Sequence, residues 1–133
     1  VAIAGIMILN PEVLVLDEPT AGLDPQGAKE MMSLFMSLNK DKGKTVLLVT
    51  HDMEHVLKYC DHVVVLDKGT VIHQSDVKDF FSHPEWMMDI GINPPGLVRL
   101  KMQLKEKGWD IPDDVLDMDT LVKTIARQVK HHE

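Results

Sequence analysis

The sequence predicts an α/β fold: part of a buried parallel sheet followed by a small helical tail. Three observations carry this reading. Residues 13–16 (VLVL) and 45–50 (TVLLVT) are short apolar or β-branched runs, as expected of strands buried on both faces of a parallel sheet. Between them, Ala28, Met31, Met32, Phe35 and Leu38 recur at the 3.6-residue spacing of a helix with one core-facing stripe. Beyond Asn93-Pro94-Pro95-Gly96 the pattern changes to two amphipathic helices, one carrying Leu97, Leu100 and Leu104, the other Leu121, Val122, Ile125, Ala126 and Val129.

Each element has its own local signals. Residues 1–9 have helix-forming composition and stop at Asn10-Pro11. Asp24-Pro25 opens the first long helix, with Asp as N-cap and Pro at the first helical position, and Gly43 closes it. Met53, Val56, Leu57 and Cys60 fall at i, i+3, i+4, i+7, so a short helix follows the second strand. Residues 62–66 (HVVVL) form a third strand. Asp67-Lys68-Gly69-Thr70 turns the chain into a fourth strand over residues 71–74, making a hairpin. Ser75 is the expected cap of a short helix carrying Val77, Phe80 and Phe81, and Trp109 and Pro112 lie in the connection between the two tail helices.

Composition bounds the function. The formal net charge is −7, and the whole excess lies in residues 1–94, which hold 7 Lys/Arg against 14 Asp/Glu. A nucleic-acid role has no support from that balance. Cys60 is the only cysteine, so neither an intrachain disulfide nor a cysteine metal cluster is expected, and an intracellular compartment is the default. No apolar run approaches the ~18 residues of a membrane-spanning helix. Residues 1–9 lack a basic lead-in and read as an internal helix segment rather than a signal peptide.

The stretch VLVLDEPTAGLDP, residues 13–25, is the most informative. Four apolar residues run straight into Asp17 and Glu18. Parallel strands present the residues at their C-terminal ends to a ligand crevice, where Asp17 could hold a hydrated magnesium ion and Glu18 could polarise a water. Acidic residues that merely end a strand would be a serious competitor, were it not for the seven residues after them. Residues 13–18 closely resemble the Walker B strand and catalytic glutamate of ABC transporter ATPases, Pro19-Thr20 completes the DEPT of that family, and Ala21-Gly22-Leu23-Asp24 resembles its D-loop. Val49-Thr50-His51-Asp52 resembles the switch-histidine segment of the same family, and residues 59–61 and the hairpin at 63–75 continue the pattern. The other six histidines carry no such context and are read as structural or exposed.

The resemblance covers residues 1–82 without a gap and implies the C-terminal part of a P-loop NTPase sheet. It implies that Asp17 holds Mg²⁺ through water, Glu18 is the general base, His51 contacts the γ-phosphate of ATP, and Asp24 communicates with a second ATPase subunit, identical or paralogous. The sequence contains no Gly-x-x-x-x-Gly-Lys-Ser/Thr phosphate loop, no LSGGQ-like signature and no obvious Q-loop. The chain is therefore expected to begin inside the helix that follows the signature motif, and to be inactive by itself. The tail, with Ile92-Asn93-Pro94-Pro95, Lys107-Gly108-Trp109, Ile111-Pro112 and a last helix after Met118-Asp119-Thr120, resembles the C-terminal extension of energy-coupling factor transporter ATPases. In that group the tail contributes to pairing of the ATPase subunits.

The expected organisation is residues 1–83 as the C-terminal half of the ATPase domain and 84–133 as a helical extension. The expected function is ATP hydrolysis that energises uptake of vitamins or metal ions. The resemblance places the protein on the cytoplasmic side of the cell membrane, with a transmembrane coupling subunit and a substrate-binding membrane protein as partners. The alternatives are the ATPase of another ABC importer or exporter, a soluble ABC ATPase of DNA repair or translation, and a truncated, non-enzymatic interaction module.

Overall fold

The computed structural model describes residues 11–131. The helix expected over residues 1–9 lies outside the described residues. The chain divides into two compact units, Val1–His51 and Asp52–Glu133.

In the first unit, β1 (Val13–Asp17) and β2 (Thr45–Val49) pair in parallel, from Val13 opposite Thr45 to Asp17 opposite Val49. Parallel neighbours need a crossover, and α1 (Pro25–Lys42) supplies it. The Asp24 carboxylate accepts the Gly27 N–H at 2.8 Å and Pro25 occupies the first turn, as the sequence predicts. At the other end Gly43 takes φ 67°, a left-handed conformation that glycine adopts without a Cβ clash, and its N–H bonds the Leu38 carbonyl. Met32, Phe35 and Leu38 of the predicted stripe are buried, while Ala28 and Met31 are half-buried.

The strands are not buried on both faces, contrary to the pattern-based expectation. Side chains alternate across a strand, so Leu14, Leu16, Val46 and Leu48 share one face and Val13, Val15, Leu47 and Val49 the other. The first set is buried or half-buried. The second is open, with Val15 64% exposed. A continuous apolar run cannot distinguish these cases, because it records what both faces could bury and not what lies against them.

The second unit opens with α2 (Met53–Tyr59), capped by Asp52, whose Oδ1 accepts the N–H groups of Glu54 and His55. β3 (His62–Asp67) and β4 (Thr70–Asp76) form the predicted antiparallel hairpin, a two-stranded sheet of its own with an irregularity between Val65 and Leu66. Lys68 (φ 50°) and Gly69 (φ 78°) both sit in the left-handed region, as a type I′ turn requires. The short helix α3 (Val77–Phe80) is capped by Asp76 and not by Ser75: Asp76 Oδ1 accepts the Asp79 N–H at 2.7 Å, while the Ser75 hydroxyl donates to the Asp76 carbonyl. The cap thus lies one residue later than expected, where a carboxylate reaches the third amide of the helix.

Helix α4 (Pro84–Asp89) has no counterpart in the sequence reading, although His83-Pro84 offered a start signal. The tail helices α5 (Gly96–Glu106) and α6 (Met118–His131) are present as predicted. One buried cluster joins Val56, Val77, Phe80, Phe81, Met87 and Val98, and a second joins Leu97, Ile111, Val115 and Leu121. Leu57 packs against both. Compact packing is therefore divided after His51. The division at 83/84 expresses correspondence to a family and stands as a proposal. On α6 only part of the predicted stripe faces this core: Leu121 is buried and Ile125 half-buried, while Val122 and Val129 are exposed.

Candidate functional site

The site lies at the C-terminal ends of β1 and β2, all within the first unit. Asp17 is the last residue of β1, opposite Val49, the last of β2. The next amide on β1, that of Glu18, continues the ladder by donating to the Val49 carbonyl at 2.8 Å. Parallel pairing in this register brings residue 18 level with residues 50 and 51, so two segments far apart in sequence deliver their side chains to one spot.

Glu18 is the centre of that spot. Its Oε1 accepts the His51 backbone N–H at 3.0 Å and lies 2.6 Å from His51 Nδ1, and its Oε2 accepts from the Thr50 hydroxyl at 3.2 Å. Against an ionised carboxylate, Nδ1 is the protonated nitrogen, which leaves Nε2 as the other hydrogen-bonding atom of the ring. Partial desolvation raises the Glu18 pKa, but the His51 amide, the His51 ring and the Thr50 hydroxyl outweigh it, so the carboxyl sits below its ordinary range. It is a carboxylate at neutral pH, able to receive a proton.

The Glu18 backbone is unusual as well, with φ 46° on a residue that has a Cβ. Such a conformation costs about 1–3 kcal/mol and persists where surrounding bonds over-determine it. Here they include the Glu18 N–H bond to Val49, the three side-chain bonds above, and a turn in which Ala21 N–H bonds the Glu18 carbonyl at 3.1 Å. The backbone leaves the strand sharply at the residue that carries the carboxylate.

The four predicted site residues are thus not equivalent. Glu18 and His51 are brought into direct contact. Asp17 is exposed beside them at the strand end. Asp24 turns its carboxylate to the start of α1, where it holds Gly27. Thr50 received no role from the sequence, although its place directly before His51 was the signal that could have singled it out.

Among the described residues no group of three or more His, Cys, Asp or Glu side chains is placed to hold a metal ion. Asp17, an exposed carboxylate at the strand end, is compatible with magnesium, which usually takes only one or two carboxylates and fills its shell with water and phosphate oxygens. Among the described residues no helix is long and apolar enough to cross a membrane.

No protein-family model matches the chain. The energy-coupling factor transporter ATP-binding protein EcfA2 of Bacillus thuringiensis (strain Al Hakam) is 45% identical over 131 residues, 98% of this chain and 45% of that protein. The protein of the same name from Ligilactobacillus salivarius is 50% identical over 107 residues, 80% of this chain and 37% of that protein. The chain thus spans less than half the length of these curated relatives. Among solved structures, cbiO1 from Clostridium perfringens, described as part of the ABC transporter complex cbiONQ, is 42% identical with a TM-score of 0.57, covering 76% of this chain and 40% of that one. A dimeric ATP-binding cassette in a post-hydrolysis state with ADP and Pi is 33% identical with a TM-score of 0.53, covering 57% of this chain and 32% of that one.

Proposed function

We propose, for a chain that belongs by sequence with the ATP-binding subunits of ABC transporters and is similar to those of energy-coupling factor transporters, that it carries the base and switch half of an ATP-hydrolysing site. The observation that carries the proposal is the Glu18–His51 contact at the C-terminal ends of two adjacent parallel strands, where α/β folds bind their ligands. Glu18, ionised and held by three donors, is oriented to take a proton from an attacking water. His51 presents its second ring nitrogen toward a phosphate oxygen, and its Nδ1–H bond to Glu18 fixes the ring.

Asp17 would hold Mg²⁺ through water at the exposed strand end, and the ion would supply charge neutralisation on the phosphates of ATP. Asp24, besides capping α1, stands in the segment proposed to signal to a second ATPase subunit, of the same or a paralogous chain. By its likeness to the energy-coupling factor group, the whole protein would act on the cytoplasmic face of the cell membrane. Its partners there would be a transmembrane coupling subunit and a substrate-binding membrane protein, and together they would energise uptake of a vitamin or metal ion.

The test is Glu18→Gln in the full-length protein. The substitution keeps the shape and the hydrogen-bond acceptor but removes the base. Nucleotide binding is expected to persist while turnover falls about 10²–10⁴-fold. Near-normal ATP hydrolysis by that variant would reject the role given to Glu18.

A further inference from the structure

Glu18 and the two residues that hold its carboxylate, Thr50 and His51, all lie in the first unit. The two oxygens of that carboxylate are not held alike. Oε1 accepts two hydrogen bonds, from the His51 backbone N–H at 3.0 Å and from the protonated His51 Nδ1 at 2.6 Å. Among the described residues Oε2 accepts one, from the Thr50 hydroxyl at 3.2 Å. Each carboxylate oxygen offers two lone pairs, so Oε1 is filled and Oε2 keeps one free. The side chain is 33% exposed, so a water can approach it.

Thr50 owes its place to the sheet. The Glu18 N–H bonds the Val49 carbonyl at 2.8 Å, and Thr50 is the residue directly after Val49, where β2 ends. Threonine is β-branched and stiff at χ1, and Thr50 is half-buried, so its hydroxyl has few positions open to it. One strand register therefore places both the carboxylate and the hydroxyl that meets it. The two bonds to Oε1 both come from His51 and leave the carboxylate able to swing about that oxygen. The bond to Oε2 comes from a different residue and sets the plane of the group.

We infer that Thr50 is a positioning residue for hydrolysis and that Oε2 is the atom of Glu18 that takes the proton: His51 occupies Oε1, while Thr50 turns the free lone pair of Oε2 toward the attacking water. An O–H bond of that water breaks and its proton passes to Oε2. The water oxygen bonds the γ-phosphorus of ATP as the bond to the bridging oxygen breaks and ADP leaves. Thr50 and His51 keep their own protons throughout. This rests on the role proposed above for Glu18.

Thr50→Val in the full-length ATPase exchanges the hydroxyl for a methyl group. It is expected to lower kcat about 10-fold, a modest fraction of what misplaced catalytic groups can cost. KM for ATP should stay within about two-fold, because the loss falls on the transition state. Thr50→Ser, which restores a donor, should recover most of the rate. In the Glu18→Gln background Thr50→Val should cost less than about two-fold more, since the base it positions is already gone, whereas a purely structural role would cost the same in both backgrounds. A crystal structure of the unsubstituted full-length protein with ADP and aluminium fluoride, a mimic of the transferring phosphoryl group, reads the oxygen directly. The in-line water should lie about 2.6–3.2 Å from Oε2. Water on Oε1 or on neither oxygen, wild-type turnover by Thr50→Val, equal losses in the two backgrounds, a raised KM with kcat unchanged, or no recovery by Thr50→Ser would overturn the inference. With Glu18→Gln inactive in the same assay, those outcomes leave the hydrolytic reading standing. Hydrolysis that survives Glu18→Gln would instead remove the reading on which it rests.

Discussion

The first unit carries the candidate chemistry on a sheet with one open face, whereas the second carries no predicted site residue and closes around two buried clusters. In the first, Val13, Val15, Leu47 and Val49 stand exposed behind the strand ends that hold Glu18 and His51. In the second, Phe80, Phe81, Met87 and Leu121 are almost wholly removed from water. The difference shows that the position of a catalytic pair and the source of packing stability need not coincide. Glu18 and His51 are set by strand register and hydrogen bonds, which a pair of strands can supply. Burial comes from helices in both units, from Met32, Phe35 and Leu38 of α1 in the first and from two larger clusters in the second.

The comparison predicts unequal responses to truncation. Phe80→Ala should cost about 3–5 kcal/mol, since it deletes a buried aromatic ring that also packs against Phe81 and Trp86. Val15→Thr on the open face should cost less than ~0.5 kcal/mol in this chain, as exposed sites do. Urea melts that monitor each unit separately check the pair. A cost above ~1.5 kcal/mol for Val15→Thr in the full-length protein would sharpen the contrast by revealing that the face is covered there.

A smaller effect is expected at Asp24. Its carboxylate satisfies an amide at the start of α1, so Asp24→Ala should destabilise the first unit by about 1 kcal/mol, within the usual range for a lost N-cap. Hydrogen exchange at the Gly27 amide reads this locally. Smaller again is Lys68→Asn in the β3–β4 turn. Lysine there holds φ 50°, a conformation asparagine tolerates better, and the change should stabilise the hairpin by about 0.5 kcal/mol. Unchanged exchange of the β3 and β4 amides would show that the turn does not limit this sheet.

The last expectation is a pH dependence. The Glu18 pKa is lowered in the folded chain, so the contact with His51 stabilises above the ordinary carboxylate range and is lost as pH falls through the lowered value. NMR titration of the Glu18 carboxyl should find its midpoint below that of an exposed glutamate, and His51→Ala should move it upward. A midpoint unaffected by His51→Ala would break the link between strand register and site chemistry.

What the sequence determined by itself was local. Asp24-Pro25 and Gly43 bounded α1, the Met32–Phe35–Leu38 stripe named its buried side, and Lys68-Gly69 placed the hairpin turn, because caps, turn dihedrals and helical periodicity act over a few residues. The apolar runs placed Asp17, Glu18 and His51 at or just beyond strand ends, while the roles proposed for them came from the resemblance of the surrounding segments to ABC transporter ATPases. What only the tertiary structure decided was how distant segments meet. The left-handed backbone of Glu18, its contact with a histidine 33 residues away and the Thr50 hydroxyl on its second oxygen all follow from the register of β1 on β2. The open face of that sheet and the bond from Glu54 to Gly96 are likewise products of chain closure. A sequence pattern specifies which faces an element can bury and which atoms it can bond, while the partner of each is chosen when non-local packing repays the entropy of bringing remote segments together.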